Sequence, residues 1–279
     1  MLAEWDATPH LLTGPGGAST AAPDAKDSTW FVGLPHMSSP LELEARGIAS
    51  VRHVQVARAE ERPGGWCLFG AGGLPLAEHE ELVLALPVAR AADVLPEGML
   101  RQALPKALLD ADFVKARYAS TLAFEAPLRL PYDFGIASYA GAAVTVLIDE
   151  TARRAAASGR GGAGTSAPAT TWIAQTDTKW AAKHLEAATP AAEVGRQIVA
   201  EVEQMVGPLP PLAGCVTGCW QYGDADYLLS GGFRRLRAER LTLAGDWAYT
   251  GRVEGAWLSG WDAAGALLEG GRNDPSDCF

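Results

Sequence analysis

The stretch Leu241-Thr242-Leu243-Ala244-Gly245-Asp246 takes a short apolar strand straight into a glycine and an acid, and after the six residues Trp247 to Arg252 the chain enters an apolar helix from Val253 to Leu268. A strand, an acidic turn and a helix in that order mark an α/β unit whose ligand end is the turn. Gly255, Ala256, Ser259, Gly260, Ala263 and Ala264 keep the helix face small, so its first turn can lie close to a flat ligand. The unpaired N–H groups of that turn carry partial positive charge and suit an electron-rich acceptor.

Outward from this stretch the chain alternates strand and helix signals. Leu82-Val83-Leu84-Ala85-Leu86-Pro87 is uniformly apolar, which predicts a strand buried on both faces of a parallel or mixed sheet. Val51-Arg52-His53-Val54-Gln55-Val56 has strand period, and Arg62-Pro63-Gly64-Gly65 turns the chain into Trp66-Cys67-Leu68-Phe69, a hairpin pattern. A short helix is expected over 38–46. Further strands are expected over 120–124, 142–148 and 171–174. Thr189 and Pro190 fit the cap and first position of a helix whose stripe Val194, Ile198, Val202 and Met205 is core, and Gly207-Pro208 ends it. Residues 1–28 read as a partly ordered lead-in, and 155–170, with Gly159 to Gly164, as a surface linker.

Composition narrows the function classes. A chain of 279 residues, 48% hydrophobic and 20% charged, can build one large domain or two interleaved ones. A net charge of -10 and a pI near 5.0 repel phosphate backbones, so nucleic acid is not an expected partner. Cys67, Cys215, Cys219 and Cys278 form no disulfide framework and no paired zinc spacing, although Cys215 and Cys219 would share a helix face. His36, His53 and His184 have no triad or metal spacing. No metal site is expected. The apolar run Gly135 to Ile148 is too short for a membrane span, and Met1 to Asp6 is no secretory leader. A reducing, cytoplasmic-type compartment fits best.

The segment Gly251-Arg252-Val253-Glu254-Gly255-Ala256-Trp257-Leu258-Ser259-Gly260, behind Gly245-Asp246, resembles the closing motif of the FAD-dependent amine oxidases and renalase-like oxidoreductases. Weaker similarities extend it over about 30–268. Val51 to Val56 is similar to the strand whose backbone reaches the adenine end, and Leu82 to Val88 to the family's V-L-A-L-P strand. Trp172-Ile173 with Asp177 and Lys179 is similar to a strand and polar turn of the substrate domain. The resemblance implies an α/β (α+β) fold in which an incomplete Rossmann-like FAD-binding domain, 36–97 and 234–279, is interleaved with a mixed β-sheet substrate domain, 1–35 and 98–233.

It also implies residue roles. Asp246 would hydrogen-bond the ribityl or diphosphate part of FAD. Val253, Glu254 and Gly255 would lie beside the isoalloxazine ring, with Gly245, Arg252 and Val56 completing the cofactor set. The reaction would be hydride transfer from a C–H next to nitrogen to flavin N5, in an amine or a reduced nicotinamide-type substrate. Lys179 matches a lysine that holds a water at N5, although a solvated surface lysine is the more ordinary reading of that position. Trp220 and Tyr222 suit aromatic walls of a substrate site or buried core.

One family feature is missing from the sequence: a strand, a G-x-G-x-x-G turn and a helix that hold the ADP half of FAD. Gly14-Pro15-Gly16-Gly17 has no strand before it, Gly70-Ala71-Gly72-Gly73 runs into Leu74-Pro75 and reads as a hairpin turn, and Gly159 to Gly164 sits in linker composition. Such a chain alone should hold FAD poorly. The opening segment is then expected on a separate polypeptide, or the chain is a fragment, or it has become a non-catalytic accessory or binding subunit. A carotenoid-desaturase-like redox enzyme shares the same closing features.

Overall fold

The computed structural model describes residues 2–7, 9–22, 30–48, 50, 52–109, 114–158, 170–225, 229, 231–249 and 251–269. The 159–164 glycine cluster and Cys278 therefore lie outside the described residues. In chain order the strands and helices are β1 (Leu2–Trp5), β2 (Pro9–Leu12), β3 (Ser19–Ala21), β4 (Trp30–Gly33), α1 (Ser39–Ala45), β5 (Arg58–Arg62), β6 (Gly65–Phe69), β7 (Pro75–His79), β8 (Leu82–Ala85), α2 (Val88–Val94), α3 (Met99–Ala103) and α4 (Lys106–Leu109). They continue with β9 (Val114–Phe124), β10 (Phe134–Ala137), β11 (Val144–Asp149), α5 (Glu150–Ser158), β12 (Thr170–Thr176), α6 (Thr178–Glu186), α7 (Ala191–Val206), β13 (Leu212–Ala225), β14 (Arg234–Leu236), β15 (Leu241–Ala244) and α8 (Val253–Leu268). The chain divides into two compact units, Met1–Val51 with Ala116–Gln221 and Arg52–Lys115 with Tyr222–Phe279.

The first unit is built on a seven-stranded mixed sheet in the order β13-β9-β12-β11-β10-β2-β3, with β10 and β2 parallel. Alternation along β12 sends Trp172 and Ala174 to one face, and α7 covers them with the expected stripe: Val194, Ile198 and Val202 are fully buried beside Leu122, Phe124 and Leu147. The helix starts differently from expectation. Pro190 is the cap residue and Thr189 bonds His184 instead, because its hydroxyl lies 3.3 Å from His184 Nδ1. The opening residues are also more ordered than their composition suggests. Trp5 and Leu12 are buried, and pairing with distant strands organises short segments that have little local propensity. Cys215 and Cys219 stand on strand β13, not on a helix, and both are exposed.

The second unit joins a three-stranded meander, β5-β6-β7, to a sheet ordered β14-β15-β8. The hairpin turn falls where expected, with Arg62 opposite Gly65, but its first strand is Arg58–Arg62. Residues 52–57 adopt no regular structure: only Ala57 reaches the ladder, its amide donating to Phe69 O of β6 at 2.8 Å, and Val56 packs on the core. Parallel pairing sets Leu82 to Ala85 against Leu241 to Ala244. β15 is buried on both faces, with Leu241 and Leu243 packed among Trp66, Leu84, Val88 and Leu108, and Ala244 packed against Ala263 of α8. β8 is not. It is the sheet's edge and alternates, with Leu82 and Leu84 buried and Val83 45% exposed, because among the described residues α8 backs β15 and no element covers β8 on that face.

Candidate functional site

The turn between β15 and α8 is tied to the helix from both ends. Gly245 N–H donates to Ser259 Oγ at 2.9 Å, and Ser259 is fully buried in the second turn of α8. A Cβ on Gly245 would stand 2.4 Å from Nε1 of Trp247, whose indole donates to Leu86 O at 3.1 Å just past β8. Only glycine leaves room for that ring, so the glycine of the motif is fixed by packing as well as by ligand approach. The indole in turn links the ends of the two parallel strands.

Asp246 organises the loop that follows. Its backbone carbonyl accepts from the amides of Tyr249 at 3.1 Å and Gly251 at 2.9 Å, and its Oδ1 accepts from Trp247 N at 2.9 Å. Gly251 has φ 65, a left-handed conformation that glycine takes without strain. Tyr249 donates its hydroxyl to Asp262 on α8, and that hydrogen bond, more than burial, pushes its phenol above the ordinary range. The tyrosine ring also fills the space a Cβ on Gly232 would occupy.

The loop delivers the chain to α8 with the helix end open. Arg252, the cap residue, is extended and its side chain makes no capping bond. Val253 and Glu254 are exposed and Gly255 is buried. Among the described residues no side-chain hydrogen bond to the first-turn amides is formed, and these amides sit within one loop of the Asp246 carboxylate. Gly245, Asp246, Arg252, Val253, Glu254 and Gly255 thus form one local constellation, in the second unit.

The remaining sequence candidates lie apart from it along the chain. Val56, half-buried, belongs to the same unit. Lys179 is exposed in the first turn of α6, where its amide donates to the capping carboxylate of Asp177 at 2.8 Å. Trp220 and Tyr222 are 57% and 38% exposed on β13, two positions apart and so on one side of the strand; neither is core. Sequence reasoning passed over Ser259, Trp247 and the Tyr249–Asp262 pair. Their signals were a serine in an apolar helix and aromatics in a six-residue loop, which carry meaning only once the partners are known.

A family model for flavin containing amine oxidoreductases matches residues 122–268, more than half of the chain. The chain belongs to this family. Its fold is that of FAD-dependent oxidases: a protein from Exiguobacterium sp. 255-15 assigned as a protoporphyrinogen oxidase superposes with TM-score 0.62 at 15% identity, covering 86% of this chain and 52% of its own. Cyclohexylamine oxidase from Brevibacterium oxydans IH-35A matches with TM-score 0.51 at 16% identity, over 77% of this chain and 48% of its own. Putrescine oxidase bound to putrescine gives 0.53 at 16%, over 86% and 54%. The chain thus spans about half the length of these structures.

The cofactor of the flavin amine oxidoreductases is FAD. The two described glycine clusters are otherwise engaged. The amides of Gly16 and Gly17 already donate to Gln204 O and Met205 O at 2.9 and 2.7 Å, and Ala71–Gly73 is a 3-10 turn leading into β7. No helix of the described residues is long and apolar enough to cross a membrane.

Proposed function

We propose that this chain carries the flavin-ring side of an FAD-dependent oxidoreductase that oxidises a small amine. The observation that supports it is the Gly245–Asp246 turn latched to an uncapped helix start. When bound, the flavin supplies the hydride-accepting chemistry at its ring. The chain's own residues do the positioning. The Val253, Glu254 and Gly255 amides face negative charge developing at the ring edge, where preorganised donors are most effective. Asp246 accepts hydrogen bonds from the ribityl hydroxyls, and Gly255 lets the helix approach the ring. Val56 is proposed to present its backbone to the adenine end, and Lys179, Trp220 and Tyr222 to serve the substrate side.

The relatives named for putrescine and cyclohexylamine favour a small amine over a reduced nicotinamide. The ADP side of the site is proposed to come from a further polypeptide segment carrying a strand, a glycine turn and a helix. The uncovered, apolar edge strand β8 supports this, since parallel strands are ordinarily flanked and covered on both faces.

A titration of the purified chain with riboflavin, FMN and FAD, followed by quenching of flavin fluorescence, tests the reading. All three ligands are expected to bind weakly and with similar affinity, because the ADP group finds no partner. Binding of none of them would overturn the proposal, and FAD binding far more tightly than FMN would overturn the half-site assignment.

A further inference from the structure

The chain between β15 and α8 is pinned to one side of that helix at two points. At its start the Gly245 amide donates to Ser259 Oγ at 2.9 Å, in the second turn of α8. Further on, the Tyr249 hydroxyl donates to Asp262 Oδ2 in the third turn. Ser259 and Asp262 are three residues apart, so they are neighbours on the helix surface with a rise of ~4.5 Å between them. A loop held at one point can pivot about it, whereas two points fix its orientation.

The ring of Tyr249 adds a third constraint. A Cβ on buried Gly232 would stand 2.5 Å from its Cε2, so the ring is seated directly on the backbone of the segment that leads into β14. On the main chain, the amides of Tyr249 and Gly251 both donate to Asp246 O, at 3.1 and 2.9 Å. Wherever the tyrosine is held, the carbonyl of Asp246 is held with it.

We infer that Tyr249 is a positioning residue of the flavin-ring site: its hydroxyl bond to Asp262 fixes the spacing between the Asp246 carboxylate and the first-turn amides of α8. This role rests on the proposed flavin reading of those two groups. They stand on different supports, Asp246 at the end of β15 and the amides on α8, and groups that bind one ligand together must be held to within about 0.5 Å. Phenylalanine at 249 would fill the same space against Gly232 but supply no donor to Asp262. Asparagine at 262 would keep an acceptor for the phenol, and alanine would not.

Riboflavin titration of the full chain, followed by fluorescence quenching, tests the assignment. Tyr249→Phe is expected to weaken binding roughly two- to tenfold, the effect of one lost hydrogen bond. Asp262→Ala is expected to do the same, and Asp262→Asn to bind as the parent does. In an Asp246→Ala background Tyr249→Phe is expected to have no further effect, because the group it positions is gone; a general loosening of the fold would add in full. Amide exchange without flavin reads the same contact, and the Tyr249 and Gly251 amides are expected to exchange faster in Tyr249→Phe. A parent chain that binds no riboflavin overturns the flavin reading, and the role of Tyr249 with it. A parent that binds beside a Tyr249→Phe variant of equal affinity overturns the role of Tyr249 alone. An effect that persists in full without Asp246 does so too, as does unaltered amide exchange in the variant.

Discussion

The amide of Gly245 donates to the hydroxyl of Ser259 at 2.9 Å, which fastens the last residue of the strand–turn motif to the second turn of the helix that follows it. Ser259 is the one buried hydroxyl on the sheet-facing side of α8, and it holds the uncapped helix start in place relative to Asp246. Replacement of Ser259 by Ala leaves a part-buried N–H without its acceptor and is expected to cost about 1–3 kcal/mol. Urea unfolding of the variant against the parent checks this; a change below about 0.5 kcal/mol would show that the latch is not a stabilising contact.

Gly245→Ala tests the close approach of Trp247. The new methyl would meet the indole at 2.4 Å, so the ring must leave and its bond to Leu86 O is lost. Overpacking of this kind costs ~1–3 kcal/mol. A fall in melting temperature accompanied by a red shift of tryptophan emission is expected, and an unshifted spectrum would contradict the packing.

Asp246→Ala addresses the proposed flavin contact. Removing a charged acceptor from hydrogen bonds to a ligand costs ~1.5–3 kcal/mol, or roughly ten- to a hundredfold in affinity. The comparison is made with riboflavin, which reports the ring and ribityl side alone. Equal riboflavin affinity in parent and variant would take Asp246 out of the site.

Asp149 gives the stability of the first unit a pH dependence. Its carboxyl is pushed above the ordinary range mainly by burial, and the nearby Asp133 and Glu150 charges add to the rise although the amides of Ala152 and Thr151 oppose it. The folded state therefore holds this proton more tightly than the unfolded chain does. Its contribution is fully present below the ordinary carboxylate pKa and is lost as pH rises through the raised value. Asp149→Asn, which can still accept from Ala152 N, is expected to flatten the stability profile over that window. An unchanged slope would assign the effect elsewhere.

Ile198→Ala probes the α7 stripe. The side chain is fully buried on the seven-stranded sheet, and its truncation is expected to cost ~2–5 kcal/mol by urea unfolding, whereas truncation of exposed Leu185 on α6 should change little.

Sequence by itself determined the elements whose evidence is local. The strand Leu241–Ala244, the glycine–acid turn, the helix from Val253 and the α7 stripe all follow from periodicity and punctuation over fewer than twenty residues, and the structure has them at those positions. The family resemblance is legible in the same local stretch, and the family match runs over residues 122–268. Only the tertiary structure decided what depends on partners. Residues 52–57 have a strand's pattern but join β6 only through the Ala57 amide, while residues 2–5 and 9–12 lack a strong pattern and become strands because Trp30–Gly33 and Phe134–Ala137 run beside them. β8 looks buried on both faces because its residues are uniformly apolar, but burial is a property of what lies above each face. The same holds at Gly245. Its place in the turn is legible as a motif, whereas its need to be glycine comes from an indole two residues on, turned back against it and fixed by Leu86, a contact across 161 residues of chain.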